Sequence, residues 1–309
     1  MTTMTTSVSP SVAAAGLAAS GTRTGFLAAL RPALQWRLML LWLLALLLPT
    51  LVAALPVWVM LGAAFDHTVS APALARRLDL VAITDVLGLH TQHASALGGG
   101  SLVALAMTLL LSPLLTGAAI TAARAPAPLG FAALAAGGVR EYGRLARMLV
   151  WAIVPLGLAA VLGGVALDRA DQHAASAVLP ASADHATLAA GLLAALLLLL
   201  AHATLDAGRA VLALDRRRSS AVLAWCDGLG LFARRPFALL GVYLGISVLG
   251  LALAAAIGIA RIHFPALGPA SFLGGLVLAQ LAVLALAWMR CARLFGLMEL
   301  ARRAARPSP

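Results

Sequence analysis

Apolar residues run along this chain in long, nearly unbroken blocks, not in the alternating or three-to-four-residue stripes of a water-soluble fold. Six blocks stand out, at residues 38–63, 98–122, 146–167, 187–211, 237–260 and 271–294. A bilayer core about 30 Å thick is crossed by roughly 20 helical residues, so each block predicts one transmembrane helix. Pro49, Pro56, Pro113 and Pro155 fall inside the blocks and predict kinks, because neighbouring helices can satisfy the carbonyls that proline frees. Trp36 and Trp58 lie 22 residues apart, about one membrane thickness, as belt residues at opposite interfaces would.

Between the blocks, two segments read as amphipathic helices lying on the membrane. In the first, Phe131, Ala135, Gly138, Tyr142 and Leu145 share one side, with Arg140, Arg144 and Arg147 on the other. In the second, Val222, Trp225, Cys226, Leu229 and Phe232 oppose Ser220, Asp227 and Arg234. A weaker version, Phe26, Leu30 and Leu34, precedes span 1, and an Arg-Pro step recurs at residues 31–32 and 235–236. The chain thus reads as three units of surface helix, span, outer loop and span. Either it is a true internal repeat, or any Arg-rich linker between spans becomes amphipathic; the pattern leaves both open.

The expected fold class is all-α: a polytopic membrane bundle of six transmembrane helices with amphipathic cytoplasmic surface helices. Residues 1–22 read as a disordered tail, 23–300 as one membrane domain, and 301–309 as a basic tail. Composition agrees, with 62% hydrophobic and 11% charged residues, against about 45–50% and 25% in soluble domains. A soluble enzyme and a disordered chain are both excluded.

All 22 basic residues are arginine, and the net charge is +11. They recur at the ends of apolar blocks rather than in one patch, which argues against nucleic-acid binding. With both termini inside, 18 arginines are cytoplasmic and four (Arg76, Arg77, Arg169, Arg261) are outside, as the positive-inside rule requires. Arg140, Arg144, Arg147, Arg216, Arg217, Arg218, Arg234 and Arg235 are the candidate contacts to anionic phospholipids. The two cysteines, Cys226 and Cys291, suit neither a metal pair nor a CxxC, and no disulfide is expected.

One stretch carries a resemblance. Asp206-x-x-Arg209, Asp215-Arg216-Arg217-Arg218-Ser219, the second amphipathic segment, Arg234-Arg235-Pro236 and Leu240-Gly241-Val242-Tyr243-Leu244 together cover about 40 residues. This resembles a pattern of charge and topology in uncharacterised six-span bacterial membrane proteins. Those are similar in layout to the membrane domain attached to some glycerophosphodiester phosphodiesterases. The resemblance implies a bacterial inner-membrane protein with elbow-like helices, and no catalytic residues, because the phosphodiesterase domain has no counterpart here.

Candidate chemistry concentrates on span 4, where His202, Asp206 and Arg209 share one face at spacings of four and three. Ionisable groups inside a membrane usually pair or mark a pathway. A proton relay through His202 and an ordinary interfacial Asp–Arg pair are both consistent with the spacing. Thr108, Ser112 and Thr116 line one face of span 2, either as a polar path or bonded back to their own helix. Gln280 sits mid-span 6, and Gly241, Gly245, Gly250 and Ala254 give span 5 a small-residue face. His90 and His93 are three apart near Asp85, too loosely placed to assign a metal. No GxxxxGK[ST], HExxH or GxSxG motif occurs, and Glu141 and Glu299 are the only glutamates.

The expectation is a non-enzymatic integral membrane protein without cofactors, serving in assembly or in lipid or small-solute transport. Its partners would be the bilayer, anionic phospholipids, and another membrane protein or a second copy. The alternative is an intramembrane enzyme on a lipid-linked substrate, using His202, Asp206 and Arg209. A transporter predicts a polar or gated cavity between spans 2, 4 and 6; a scaffold predicts a closed bundle with an exposed partner face.

Overall fold

The computed structural model describes residues 30, 32–65, 88–176, 180–264 and 268–305. The expected tail at 1–22 lies outside these, as do Asp66, His67, Asp79 and Asp85. The described chain is helical, with no strand among the described residues. Its helices are α1 (Trp36–Phe65), α2 (Ala94–Arg124), α3 (Phe131–Trp151), α4 (Ile153–Ser176), α5 (Pro180–Leu214), α6 (Ala221–Arg234), α7 (Pro236–His263) and α8 (Pro269–Ala305). Six stretches are long and apolar enough to cross a membrane: α1, α2, α3 with α4 as one stretch (Phe131–Ser176), α5, α7 and α8. Leu158, Val161, Leu192 and Leu196 remain half or more exposed, as lipid-facing residues of a membrane protein do.

Prolines set several boundaries. α5, α7 and α8 each begin on one, where the missing N–H costs nothing and φ is already helical. Arg235, the residue before Pro236, leaves the helical region, so α6 turns into α7 over a single residue. Helix α1 runs through Pro49 and Pro56, and α2 through Pro113. Pro155 interrupts the helical hydrogen-bonding at a single step, with the i→i−4 bonds of Ala152 and Leu156 intact on either side. It cannot donate to the Trp151 carbonyl four residues back, and the boundary between α3 and α4 falls at Ala152. The last helix also exceeds its sequence expectation, continuing to Ala305 through part of the expected basic tail.

The chain forms two compact units. The first comprises Met1–Ala33, Glu141–Ile246 and Ala292–Pro309. Its spine is the α4–α5 hairpin, with α6 folded back on α5. Added to these is the far end of α8, where residues 292–298 are all buried. A helix apolar on every side belongs inside protein, and this end of α8 packs as a core rather than facing lipid. Gly163 meets Ala194 between α4 and α5, where an added Cβ would lie 2.8 Å from the Ala194 Cβ.

The second unit comprises Leu34–Arg140 and Ser247–Cys291. Here the α1–α2 hairpin packs with the first ten residues of α3 and with parts of α7 and α8. Trp36 stacks edge-on against Phe131 at 5.6 Å, and Arg37 reaches the Leu129 carbonyl. Gly250, on the small-residue face of α7, sits against Met289, its absent Cβ only 2.5 Å from that side chain.

The amphipathic helices exist where expected; on α3 the apolar side shares Gly138 and Leu145 with the buried residues, whereas on α6 the two sets are distinct. On α6 the buried residues are Ala221, Ala224, Gly228 and Leu231, while Val222, Leu223 and Cys226 are exposed. On α3 they are Leu134, Gly137, Gly138, Glu141, Leu145 and Met148. In lipid the large apolar side chains have no reason to hide, whereas close helix approach favours small ones.

Candidate functional site

Two places in the molecule could carry a function, and each lies within one unit. In the first unit, α5 brings His202, Asp206 and Arg209 to one face, as their spacing predicts. Asp206 is only 7% exposed and is held from three sides. Arg209 donates to its Oδ1 at 2.6 Å, Arg293 of α8 sits 2.7 Å from Oδ2, and His202 Nδ1 lies 3.7 Å from Oδ2. Tyr243 of α7 closes the ring: its hydroxyl is 2.9 Å from His202 Nδ1, and the Arg293 guanidinium lies 4.6 Å from its ring centre. Beside it, Trp225 of α6 donates to the Thr204 hydroxyl, which donates to the Ala201 carbonyl.

Asp206 is therefore not paired within one helix alone. It ties α5 to α8, while His202 ties α5 to α7. Both carboxylate oxygens are committed to guanidinium groups, which is the arrangement that makes a buried charge tolerable. Arg293 was not joined to this site from the sequence, nor was Tyr243, which entered only as part of the Leu240–Leu244 stretch. They lie 87 and 37 residues from Asp206, and nothing in local spacing joins them; the available hints were that the sequence holds only two tyrosines and that Arg293 follows the last apolar block.

The arginines marked for lipid contact divide. Arg140, Arg147, Arg216, Arg217, Arg234 and Arg235 are exposed. Arg144 is turned inward: it pairs with Glu141 at 2.7 Å and donates to the carbonyls of Leu212, Asp215 and Arg218. It thus caps the end of α5 rather than facing headgroups. Arg218 pairs with Asp227 of α6. His90 and His93 are exposed, and among the described residues no three His, Cys, Asp or Glu side chains gather as a metal site. Cys226 is exposed and Cys291 buried, both as free thiols.

In the second unit a half-open groove of about 570 Å³ lies between α1, α2 and α8. Its walls are apolar, built from residues such as Leu46, Ala53, Leu105 and Leu286, with Thr50, Thr108 and Arg290 as its few polar positions. Thr50 and Thr108 donate to the Leu46 and Ala104 carbonyls of their own helices. Thr116 does the same to Ser112, so this face of α2 is bonded back on itself. Of that face only Thr108 reaches the groove. Gln280 is half-buried and makes no hydrogen bond among the described residues.

Comparison of the chain with protein-family models, with curated proteins and with solved structures returns no match. Its function has to be read from these two sites.

Proposed function

We propose that this multi-pass membrane protein holds or moves a lipid or small apolar solute in the groove of its second unit, without catalysing a reaction. The observation that carries this reading is the groove's shape and lining. Small-molecule sites are clefts of roughly 300–1,000 Å³, mostly apolar with a few fixed polar groups, and this groove fits that description. Leu105 and Leu286 are 54% and 39% exposed on its rim, so the opening faces sideways, toward hydrocarbon at that depth. The arginine distribution and the resemblance noted above support a bacterial inner membrane, with both termini in the cytoplasm. Exposed Arg140, Arg147, Arg216, Arg217, Arg234 and Arg235 then face an anionic leaflet, each worth about 1 kcal/mol near that surface.

The enzymatic alternative has less support, because Asp206 already spends both oxygens on arginines. Purification in mild detergent, with mass spectrometry of co-purifying lipids and proteins, tests the reading. A lipid or apolar molecule near one per chain is expected, lost when Ala53→Phe fills the groove. A preparation with a stoichiometric protein partner and no small molecule would instead make this an assembly subunit.

A further inference from the structure

The groove has an end as well as a lining, and the end carries a charge. From Pro269 to Met289, α8 contains no ionisable side chain; Arg290 is the first. Those 21 residues span about 30 Å, one hydrocarbon thickness, which puts Arg290 at a headgroup boundary. α1 runs antiparallel, with Arg37 at its start on the same side. The groove then follows α8 from Arg290 back to Val283 and α1 from Trp42 to Ala53. At about 1.5 Å per residue this is about 10 Å along α8 and about 17 Å along α1. A single leaflet is about 15 Å deep, half of a core of about 30 Å. The groove therefore matches one leaflet in depth and has a guanidinium where the headgroup begins.

Among the described residues of this unit, those the arginine distribution assigns to the Arg290 side include Arg37, Arg124 and Arg140, and no aspartate or glutamate. Zwitterionic lipids bring their own ammonium and gain little from such a border, whereas a net-negative headgroup gains from it. Thr50 and Thr108 already spend their hydroxyl protons on their own helices, leaving the deeper part of the groove without a free hydroxyl donor for a phosphate.

We infer that the groove takes one acyl chain of an anionic phospholipid from the leaflet on the Arg290 side, with Arg290 meeting its phosphate. This rests on the reading of the groove as a lipid site and names the lipid class.

The test is native mass spectrometry of the full-length protein in mild detergent, titrated with phosphatidylglycerol or phosphatidylethanolamine of matched chains. Wild type should bind one phosphatidylglycerol with about fivefold preference, the factor that one arginine near an anionic surface supplies. Arg290→Gln should bind both lipids alike, losing preference while keeping a lipid. Ala53→Phe, and Thr50→Trp as a second filling variant that keeps its site on the groove's exposed face, should lose both lipids. Unchanged preference in Arg290→Gln overturns the headgroup assignment but leaves the groove a lipid site. Unchanged binding in both folded filling variants overturns the lipid site itself. A helix of another protein found in the groove in place of lipid overturns both.

Discussion

Helices α2 and α5 hand the chain on to α3 and α6 in the same way, at a constant offset of 90 residues. α2 ends at Arg124 and α5 at Leu214; after six intervening residues α3 begins at Phe131 and α6 at Ala221. The buried positions that follow also match, Leu134, Gly138 and Glu141 against Ala224, Gly228 and Leu231. At the eighth position of each amphipathic helix a glycine is pressed on the preceding span. An added Cβ would lie 2.7 Å from the Leu114 carbonyl oxygen at Gly138, and 2.5 Å from the Gly208 amide nitrogen at Gly228. What differs is the chemistry on that shared frame. The offset that joins Gly138 to Gly228 also joins Ser112 and Thr116 to His202 and Asp206. In the second unit these positions carry hydroxyls, that of Thr116 bonded to the Ser112 carbonyl of its own helix; in the first, Asp206 is ion-paired to α8 and His202 is hydrogen-bonded to α7. One backbone arrangement thus supports either a self-contained span or a cross-linked one, and the side chains at two positions decide which.

The comparison can be broken most directly at Asp206. Asp206→Asn leaves Arg209 and Arg293 without the carboxylate they share, a loss of about 3–5 kcal/mol in buried pairs. The largest fall in melting temperature in detergent, read by tryptophan fluorescence, is expected here. A variant as stable as wild type would mean that the ion pairs do not lock the helices. The glycines come next. Gly138→Val and Gly228→Val each force a side chain against backbone that cannot step aside, and overpacking of this kind costs about 1–3 kcal/mol. Similar losses at both sites support equivalent elbows; a neutral Gly138→Val beside a damaging Gly228→Val would end the equivalence. The smallest effect belongs to Thr116→Val. It removes a hydroxyl satisfied within its own turn and should shift stability by less than about 0.5 kcal/mol. A loss at Thr116 as large as at Asp206 would show that its hydroxyl serves another helix.

Much of this architecture was legible in the sequence, because span length is a one-dimensional property. A block of 26 apolar residues at 38–63 needs no partner to declare itself a helix that crosses a membrane. The amphipathic helices were legible too, but not their inward faces. Val222, Trp225 and Cys226 could be grouped as the apolar face of a membrane-surface helix, but periodicity does not say which side meets the protein. In hydrocarbon the drive to bury an apolar face vanishes, and Ala224 and Gly228 face the protein instead. At the charged site, His202, Asp206 and Arg209 could be grouped because helical spacing is local. Arg293 and Tyr243 could not, since their meeting depends on how three helices pack. The groove was harder still: it is a space between Leu46, Leu105 and Leu286, and no residue type announces a space.

The order of the Asp206 ion pairs along the chain has a consequence for how the protein is made. Asp206 and Arg209 leave the ribosome together, but Arg293 follows 87 residues after Asp206. At about 5–20 residues per second, that is a delay on the order of 4–17 s. During it Arg209, three residues on, is the one of the two guanidinium partners that has already been made. The lock to α8 can close only once its far end has been synthesised. Arg209 is, in this sense, the early partner of Asp206, and Arg293 its late one.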